Sequence, residues 1–412
     1  MFGWGTLPTL MTPAPTPTNR RPVAMLTHSY YEEDPRVRRE AESIVSTGRS
    51  VDVFALRRPG DPATEILDGV TVRRLGVERH QGAGLGTYLR EYLAFLVRSG
   101  WALTRAYPGR RYGLVQVHTL PDFLIFAALP LRLVGVPVIL DLHEAMPEFF
   151  RSRFRDRAGQ AGYALLRAQE RLATTFASAV LTVNDALGDR LIGLGVAAAK
   201  LHVIPNAPSL TRFDAARYPA RPFMGDGTLR LVYAGALSPI YELDVVLDAI
   251  ARMATLRPSL PVSIDLYGRD FAEVPLRDRA VALGVADRVT FHGRVPIEAV
   301  PGAIAAADVG LAPTRRSRFT DFSLSTKAYE YAAMGRTVVA SRLPMVERIF
   351  GDDVVTYEPG DAADLAAALL RLVDEPEARD ARIASALARV RGLAWEHESA
   401  RYLELIETRA RS

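Results

Sequence analysis

Short apolar runs alternate with longer helical stretches through most of this 412-residue sequence. Apolar residues occupy consecutive positions in these runs, as expected of strands that are buried on both faces of a sheet. Helical stretches between such strands indicate parallel neighbours that are joined by crossover helices. The sequence therefore predicts an α/β fold with a doubly wound parallel sheet. In the first half we predict strands at Val23–Thr27, Ser50–Leu56, Val70–Leu75, Leu114–Thr119, Pro137–Leu142, Ala179–Val183 and Leu201–Pro205.

The alternation stops at residues 207–228, which concentrate Pro and Gly as linkers do, and then starts again. The second set of predicted strands is Leu229–Ala234, Val262–Tyr267, Val289–His292, Asp308–Ala312, Thr337–Ser341 and Val354–Tyr357. We therefore expect a flexible tail over 1–21, Rossmann-like domains over 22–208 and 209–394, and a helix over 395–411 that joins the first domain. Open α/β sheets bind ligands at the carboxyl ends of their strands, so facing sheets predict a site in the cleft between domains.

The composition excludes several kinds of site. The chain has no cysteine, which rules out disulfides and thiolate metal sites, and its seven histidines form no HExxH motif. No DxD motif occurs either, so we expect no metal and no other cofactor. No apolar run is long enough to span a membrane, and the first residues do not resemble a secretory signal peptide. We therefore expect a cytoplasmic protein.

Positive charge is concentrated in the first half of the chain. Residues 1–210 contain 25 Arg and Lys against 19 Asp and Glu, whereas residues 211–412 contain 26 against 28. This excess is too small for a nucleic-acid-binding protein, but it suits an anionic acceptor or a membrane surface. A predicted helix over 85–107 has aromatic and Leu residues on one side and arginines elsewhere. It either rests at the inner face of a membrane or covers the sheet with a solvated arginine face.

Residues 319–336 carry the strongest local signal for a ligand. Ser and Thr residues open a predicted helix there, and Gly335 ends it. The start of a helix offers unpaired N–H groups to a phosphate, and Lys327 adds a positive charge in the first turn. Glu330, one turn on, fits a nucleotide, because ribose hydroxyls donate to a carboxylate. An ordinary amphipathic helix with a surface Lys and Glu is the alternative.

Several stretches together resemble the retaining glycosyltransferases of family 4. In chain order the stretches are 34–48, 115–144, 203–206, 231–250, 289–296, 305–313 and 325–344. The resemblance implies a GT-B fold, in which two Rossmann-like domains face each other. It also implies transfer of a hexose from a nucleotide-diphosphate sugar to an acceptor hydroxyl with retention at the anomeric carbon. Glycans, glycolipids and cell-envelope polysaccharides are the expected products.

The family's motif residues can be carried onto matching positions. Glu330 matches the second Glu of the family's Glu–seven residues–Glu motif, which is expected to accept from the ribose. His143 matches the histidine that contacts the donor sugar, and Lys327 is the third residue to which we assign a catalytic role. The resemblance also implies a set of donor-binding residues: Leu324, Ser325, Thr326, Gly235, Ala236, Asn206, Gly293, Arg294 and Val295. The expected acceptor or cleft residues are His118, Ser29, Tyr30 and Arg36.

The sequence departs from the family pattern at three positions. Phe322 stands where the first motif Glu is expected, and Ala236 and Tyr241 stand in place of the Arg and Lys that grip the diphosphate. Lys327 would replace the lost cations, which resembles a sub-branch with Ser/Pro-Thr-Lys before the motif Glu. These losses keep two alternatives open. One is a nucleotide-sugar epimerase of the same fold, and the other is a non-catalytic nucleotide-sugar-binding homologue.

Overall fold

The computed structural model describes residues 20–79, 85–153, 157–219, 221–269 and 272–411. Most of the tail predicted over residues 1–21 lies outside these ranges. The chain forms two sheets, each flanked by helices, and none of the described helices is both long enough and apolar enough to cross a membrane.

The first sheet has eight strands in the order β3-β4-β2-β1-β5-β6-β7-β8. Its strands are β1 (Val23–Leu26), β2 (Val51–Leu56), β3 (Thr64–Leu67), β4 (Val70–Leu75), β5 (Leu114–His118), β6 (Val138–Leu142), β7 (Ala179–Thr182) and β8 (Leu201–Val203). The helices of this half are α1 (Pro35–Ser46), α2 (Leu85–Arg110), α3 (Leu129–Leu133), α4 (Met146–Arg153), α5 (Arg157–Phe176) and α6 (Asp185–Gly193).

Strand β3 is the one element of the first sheet that we did not predict. It pairs antiparallel with β4, whereas every other pair in the sheet is parallel. Asp68 and Gly69 connect the two strands, with φ angles of 49° and 80°. An Asp-Gly pair between apolar residues is a strong signal for a tight hairpin, so this strand was readable from the sequence.

The second sheet has six parallel strands in the order β11-β10-β9-β12-β13-β14. They are β9 (Leu229–Ala234), β10 (Val262–Tyr267), β11 (Val289–Gly293), β12 (Val309–Ala312), β13 (Thr337–Ser341) and β14 (Val355–Tyr357). The helices are α7 (Leu243–Leu256), α8 (Glu273–Ala282), α9 (Val300–Ala305), α10 (Thr326–Ala333), α11 (Pro344–Phe350), α12 (Ala362–Asp374), α13 (Pro376–Gly392) and α14 (Trp395–Arg409). The predicted fold class, two α/β domains with parallel sheets, is confirmed.

Helix α1 shows how local sequence positions a wall of the cleft. The Asp34 side chain accepts from the backbone N–H of Val37, and Pro35 occupies the first turn, where its missing N–H costs nothing. Val37, Ala41 and Ile44 recur at helical spacing and are fully buried against the sheet. The opposite face of α1 is left to line the space between the domains.

Helix α14 returns to the first domain. Trp395, Tyr402 and Ile406 pack in the same apolar cluster as Ile44 of α1 and Leu114 of β5. The backbone N–H of Trp395 donates to the carbonyl of Pro208. The two segments in which the chain passes between the domains are therefore hydrogen-bonded to each other.

Several side-chain contacts connect the two domains. Arg294 pairs with Glu33 at 2.5 Å and Arg38 with Glu298 at 3.2 Å on one side. On the other side the Asn184 amide donates to the carbonyl of Phe322 at 2.7 Å, and the rings of Phe149 and Phe319 meet edge to face. The last two of these contacts hold the loop before α10 against the first domain.

Candidate active site

Two cavities lie in the cleft and meet at Asn206 and Thr326, which line both. The smaller cavity, of about 190 Å³, lies between the loop after β6 and residues 323–328 at the start of α10. The larger cavity, of about 780 Å³, lies between α1, the linker and the second turn of α10. A single elongated ligand can therefore reach both cavities by passing the start of α10.

The start of α10 opens into the smaller cavity. The N-cap residue Ser325 makes no side-chain capping bond, so the first N–H groups of the helix are left for another partner. Three residues with a predicted donor-binding role line this cavity, Leu324, Ser325 and Thr326, and so does Lys327, for which we predicted a catalytic role. The helix end is not covered by protein, and it faces the first domain across the cleft.

Lys327 is a buried cation with aromatic rather than acidic neighbours. Its ammonium lies 4.0 Å from the ring centre of Tyr241 and 5.1 Å from that of Tyr233. Among the described residues no carboxylate lies within 4.0 Å of this nitrogen. The Lys327 ammonium therefore lies beside Tyr241, the residue that stands where the family pattern has a lysine, and its role as a replacement stays a prediction.

Gly235 makes room for this lysine. A Cβ at position 235 would lie 2.2 Å from Cε of Lys327 and 2.8 Å from its Nζ. The neighbouring Ala236 contributes its carbonyl, which accepts from the Tyr233 hydroxyl at 2.7 Å. The structure thus gathers Gly235, Ala236 and Lys327 around the two tyrosine rings.

Glu330 lies one turn further along α10 and lines the larger cavity. Burial raises the pKa of its carboxyl group, and the nearby charge of Lys327 and a hydrogen bond from Thr326 oppose that rise. The structure therefore separates the two motif residues, with Lys327 on the smaller cavity and Glu330 on the larger.

A buried histidine cluster forms the first-domain wall. His118 Nδ1 and His143 Nε2 lie 3.1 Å and 3.2 Å from the same oxygen, Oδ2 of Asp141. Arg36 donates to both oxygens of Asp141, at 2.9 Å from Nε and 2.8 Å from Nη2. Burial acts to raise the pKa of Asp141, but these cationic and N–H neighbours hold it well below its usual range. Of the two histidines, His143 lines the smaller cavity and His118 is fully buried behind it.

The four predicted acceptor or cleft residues line neither cavity. Arg36 is 3% exposed and committed to Asp141, and His118 has no exposed surface. Ser29 donates to Asp34, and the Tyr30 ring lies under the guanidinium of Arg58. The expected roles of His118 in lining the cleft, and of Ser29, Tyr30 and Arg36 near the phosphates or the acceptor, stay predictions.

Two other groups of predicted donor-binding residues are occupied by protein contacts. Asn206 accepts from Arg36 and from Arg39, at 3.0 Å and 2.8 Å. None of Gly293, Arg294 and Val295 lines either cavity, and Arg294 is engaged with Glu33 across the cleft. The next residue of this region to reach a cavity is Glu298, on the larger one.

Asp141 is the residue that the sequence reasoning missed. It is an acid at the end of an apolar strand, two residues before His143, and that pattern alone was a signal for a buried pair. Within the described residues, His118, Asp141 and His143 are the only cluster of three metal-capable side chains. Both Asp141 oxygens already accept hydrogen bonds from Arg36, so the guanidinium supplies the positive charge that a metal ion would otherwise bring. We therefore treat the cluster as a hydrogen-bonded network, and independence from metal stays a prediction.

Two family models match the chain and together cover more than three quarters of it. The model described as Glycosyl transferase 4-like domain matches residues 34–207, and the model described as Glycosyl transferases group 1 matches residues 228–375. The chain belongs to the family 4 glycosyltransferases. This confirms the predicted family and the assignment as an enzyme, and it makes the two alternatives less favoured.

Relatives of this glycosyltransferase have related activities in their names. It is 25% identical over 371 residues to a D-inositol 3-phosphate glycosyltransferase of Thermobifida fusca, covering 86% of this chain and 83% of that one. It is 26% identical over 355 residues to an MMP alpha-(1->4)-mannosyltransferase of Mycolicibacterium hassiacum, covering 83% and 79%.

Solved structures share the fold of this glycosyltransferase. Sucrose-phosphate synthase from Thermosynechococcus elongatus superposes with a TM-score of 0.76 at 18% identity, over 94% of this chain and 99% of that one. Anabaena HepE, solved in complex with UDP-glucose, superposes with a TM-score of 0.69 at 16% identity, over 94% and 100%. The expected GT-B arrangement is therefore confirmed.

Proposed function

We propose that this glycosyltransferase moves a hexose from a nucleotide-diphosphate sugar to an acceptor hydroxyl, with retention at the anomeric carbon. The observation that carries the proposal is Lys327, a buried ammonium without a carboxylate partner among the described residues, beside an uncapped helix start. Holding a cation in this way costs free energy unless an anion binds there. A diphosphate supplies that anion.

The two cavities then divide the donor between them. The nucleoside occupies the larger cavity, where Glu330 accepts from the ribose hydroxyls, and the diphosphate rests on the start of α10. The hexose occupies the smaller cavity beside His143. The solved complex of a fold neighbour with UDP-glucose supports a donor of this class.

The proposed reaction is a substitution on one face of the sugar. The bond between the anomeric carbon and the diphosphate oxygen breaks while a bond to the acceptor oxygen forms. The acceptor proton passes to the departing diphosphate oxygen, so no strong side-chain base is required. Lys327 and the helix N–H groups stabilise the negative charge that develops on the leaving group, which is usually a large part of catalysis.

A donor screen followed by product analysis tests this function. Thermal shift against UDP-, GDP-, dTDP- and ADP-sugars should single out one base, and the chosen donor should then glycosylate an acceptor with an unchanged anomeric configuration by NMR. Inversion would contradict the proposed stereochemistry. Isomerised donor without added acceptor would support an epimerase instead, and binding without turnover would support a non-catalytic protein.

We also propose that the first domain docks on an anionic membrane surface, as suits a lipid-linked acceptor. Four apolar residues recur at four-residue spacing along α2, and each is between 46% and 69% exposed: Leu89, Leu93, Val97 and Trp101. Exposed apolar residues continue on α3 and α5: Leu129, Leu133, Leu165 and Leu172.

These three helices cover the same face of the first sheet, because Phe95 of α2, Leu131 of α3 and Ala173 of α5 belong to one core cluster. Their two acids, Glu91 and Glu170, are both buried, whereas arginines are exposed among the apolar residues. Among the described side chains of these three helices, every exposed charge is an arginine, which suits anionic lipid headgroups.

Vesicle flotation distinguishes lipid from other occupants of this surface. The wild type should float with phosphatidylcholine vesicles that contain phosphatidylglycerol and not with phosphatidylcholine alone, and the Val97→Glu, Trp101→Glu double variant should not float. Leu256→Glu is the control, because Leu256 is equally exposed on the second domain. If the double variant floats as well as Leu256→Glu, this surface does not dock on the membrane. A smaller mass of the double variant in light scattering would assign the surface to a second copy of the chain.

A further inference from the structure

We infer that Asp141 is a positioning residue that fixes His143 with its hydrogen on Nε2, so that His143 presents Nδ1 to the donor sugar as an acceptor. The inference deepens the proposed function, because it states how the sugar end of the cleft recognises its ligand. It rests on the geometry of four side chains that meet at one carboxylate: Arg36, His118, Asp141 and His143.

The oxygen Oδ2 of Asp141 is the meeting point. Arg36 Nε, His118 Nδ1 and His143 Nε2 lie 2.9, 3.1 and 3.2 Å from it. A carboxylate with its charge held by a guanidinium can only accept, so each ring nitrogen that faces it carries a hydrogen. The separation of 3.2 Å between His118 Nδ1 and His143 Nε2 is then a contact between two donors that share an acceptor.

The hydrogen on Nε2 decides what His143 shows to the cavity. In a neutral imidazole with one nitrogen protonated, the other nitrogen is an acceptor. His143 Nδ1 has no hydrogen-bond partner among the described residues, and the side chain is 17% exposed at the wall of the smaller cavity. A ligand hydroxyl is the natural partner of that nitrogen.

Arg36 keeps Asp141 in place and offsets its charge. Its guanidinium bonds both Asp141 oxygens, and it is itself held by the carbonyl of Ile204 at 2.9 Å and by Glu40 at 3.1 Å. Other charged groups near the cluster are Asp34 and Arg39 of the α1 region. Asp141 is therefore held in one orientation, with its Oδ2 facing Nε2 of His143.

The ligand class follows from this arrangement. A lone pair on Nδ1 accepts from a sugar hydroxyl, whereas it repels a carboxylate at the same position. The smaller cavity is therefore built for a neutral hexose with a hydroxyl at that position, and a donor with a uronic acid there fits it poorly.

The tautomer can be measured directly. Two-bond proton–nitrogen NMR correlations of histidine-labelled protein should show His143 with its hydrogen on Nε2, and the signal is assigned by its loss in His143→Asn. Asp141→Asn should change this pattern, because an amide can donate to the ring nitrogen. A hydrogen on Nδ1 in the wild type would overturn the inference. Because this readout needs no turnover, it is independent of whether the proposed transfer reaction is correct.

A matched pair of variants tests the same point in kinetics without disturbing the buried carboxylate. The amide of His143→Asn reaches the position of Nδ1, and that of His143→Gln reaches the position of Nε2. His143→Asn should therefore keep about tenfold more kcat/KM than His143→Gln, the worth of one hydrogen bond. The opposite order would place Nε2 against the sugar and refute the inference. Absence of transfer in the wild type would instead refute the proposed function.

Discussion

The two walls of the cleft each carry one buried cation, and the two are held in opposite ways. Arg36 in the first-domain wall is 3% exposed and pairs with Asp141 and Glu40. Lys327 in the second-domain wall is 7% exposed and rests on the rings of Tyr233 and Tyr241. A buried cation whose charge is already balanced organises the protein around it. A buried cation that contacts only aromatic rings remains available to bind an anion of the ligand.

The largest expected effect is on stability, from Arg36→Met. Removing the guanidinium leaves the buried carboxylates Asp141 and Glu40 without their shared partner, and breaking such a pair costs about 3–5 kcal/mol. Urea denaturation should show this loss, whereas Lys327→Met should lie within about 1 kcal/mol of the wild type. Arg257→Met removes an exposed pair with Asp374 and serves as the control. Equal losses at 36 and 327 would erase the distinction between the two cations.

Lys327→Met, which should hardly change stability, should strongly reduce turnover. Lys327→Met removes the cation next to the leaving diphosphate, and loss of one such stabilising group typically lowers kcat by about 100- to 1000-fold. Initial rates with the donor found by the screen measure this. Lys200→Met is a matched control, because Lys200 is the only other lysine of the chain and donates to carbonyls of the first domain. If Lys327→Met kept its rate, the diphosphate contact would belong to other groups.

Glu330→Gln should weaken binding of the donor more than it slows the reaction. Two hydrogen bonds from ribose hydroxyls to a carboxylate are worth about 1.5–3 kcal/mol, so Kd by calorimetry should rise roughly 10- to 100-fold. Burial raises the pKa of Glu330, and only the ionised form accepts from both hydroxyls. Affinity should therefore fall as the pH falls through that raised pKa, and Glu330→Gln should lose this dependence. A wild-type Kd in the variant would remove Glu330 from the ribose site.

The sequence predicted the sheets and the helix at residues 325–334 because these depend on local patterns. Apolar runs and their spacing determine the strands, and Ser, Lys and Glu positions mark the start of α10. The wall formed by Asp141, Arg36 and His118 could not be predicted in the same way. Its members come from three separate elements, α1, β5 and β6, and only the order of the parallel strands brings them together.

The same reasoning explains why Arg36 was placed in the cleft. The resemblance to family 4 puts the first loop and helix near the phosphates or the acceptor, and nothing local distinguishes a free arginine from one that is paired at long range. The partner lies 105 residues further along the chain, at Asp141. Gly235, by contrast, directly follows strand β9 and lies against Lys327, while its donor-binding role stays a prediction.

Gly235→Ala gives the smallest effect and tests how tightly Lys327 is held. An added Cβ would lie 2.2 Å from Cε of Lys327, so the end of that flexible side chain must move away from the rings of Tyr233 and Tyr241. We expect kcat to fall about tenfold, because a displaced ammonium still compensates part of the charge on the leaving group. Stability should fall by about 1 kcal/mol, because the φ angle of 159° at Gly235 is one that L side chains rarely adopt. Gly193→Ala is the control, since a Cβ there meets no atom within 4 Å. A loss as large as that of Lys327→Met would show that the lysine has no alternative position, and an unchanged rate would show that its contact with the rings is not needed for transfer.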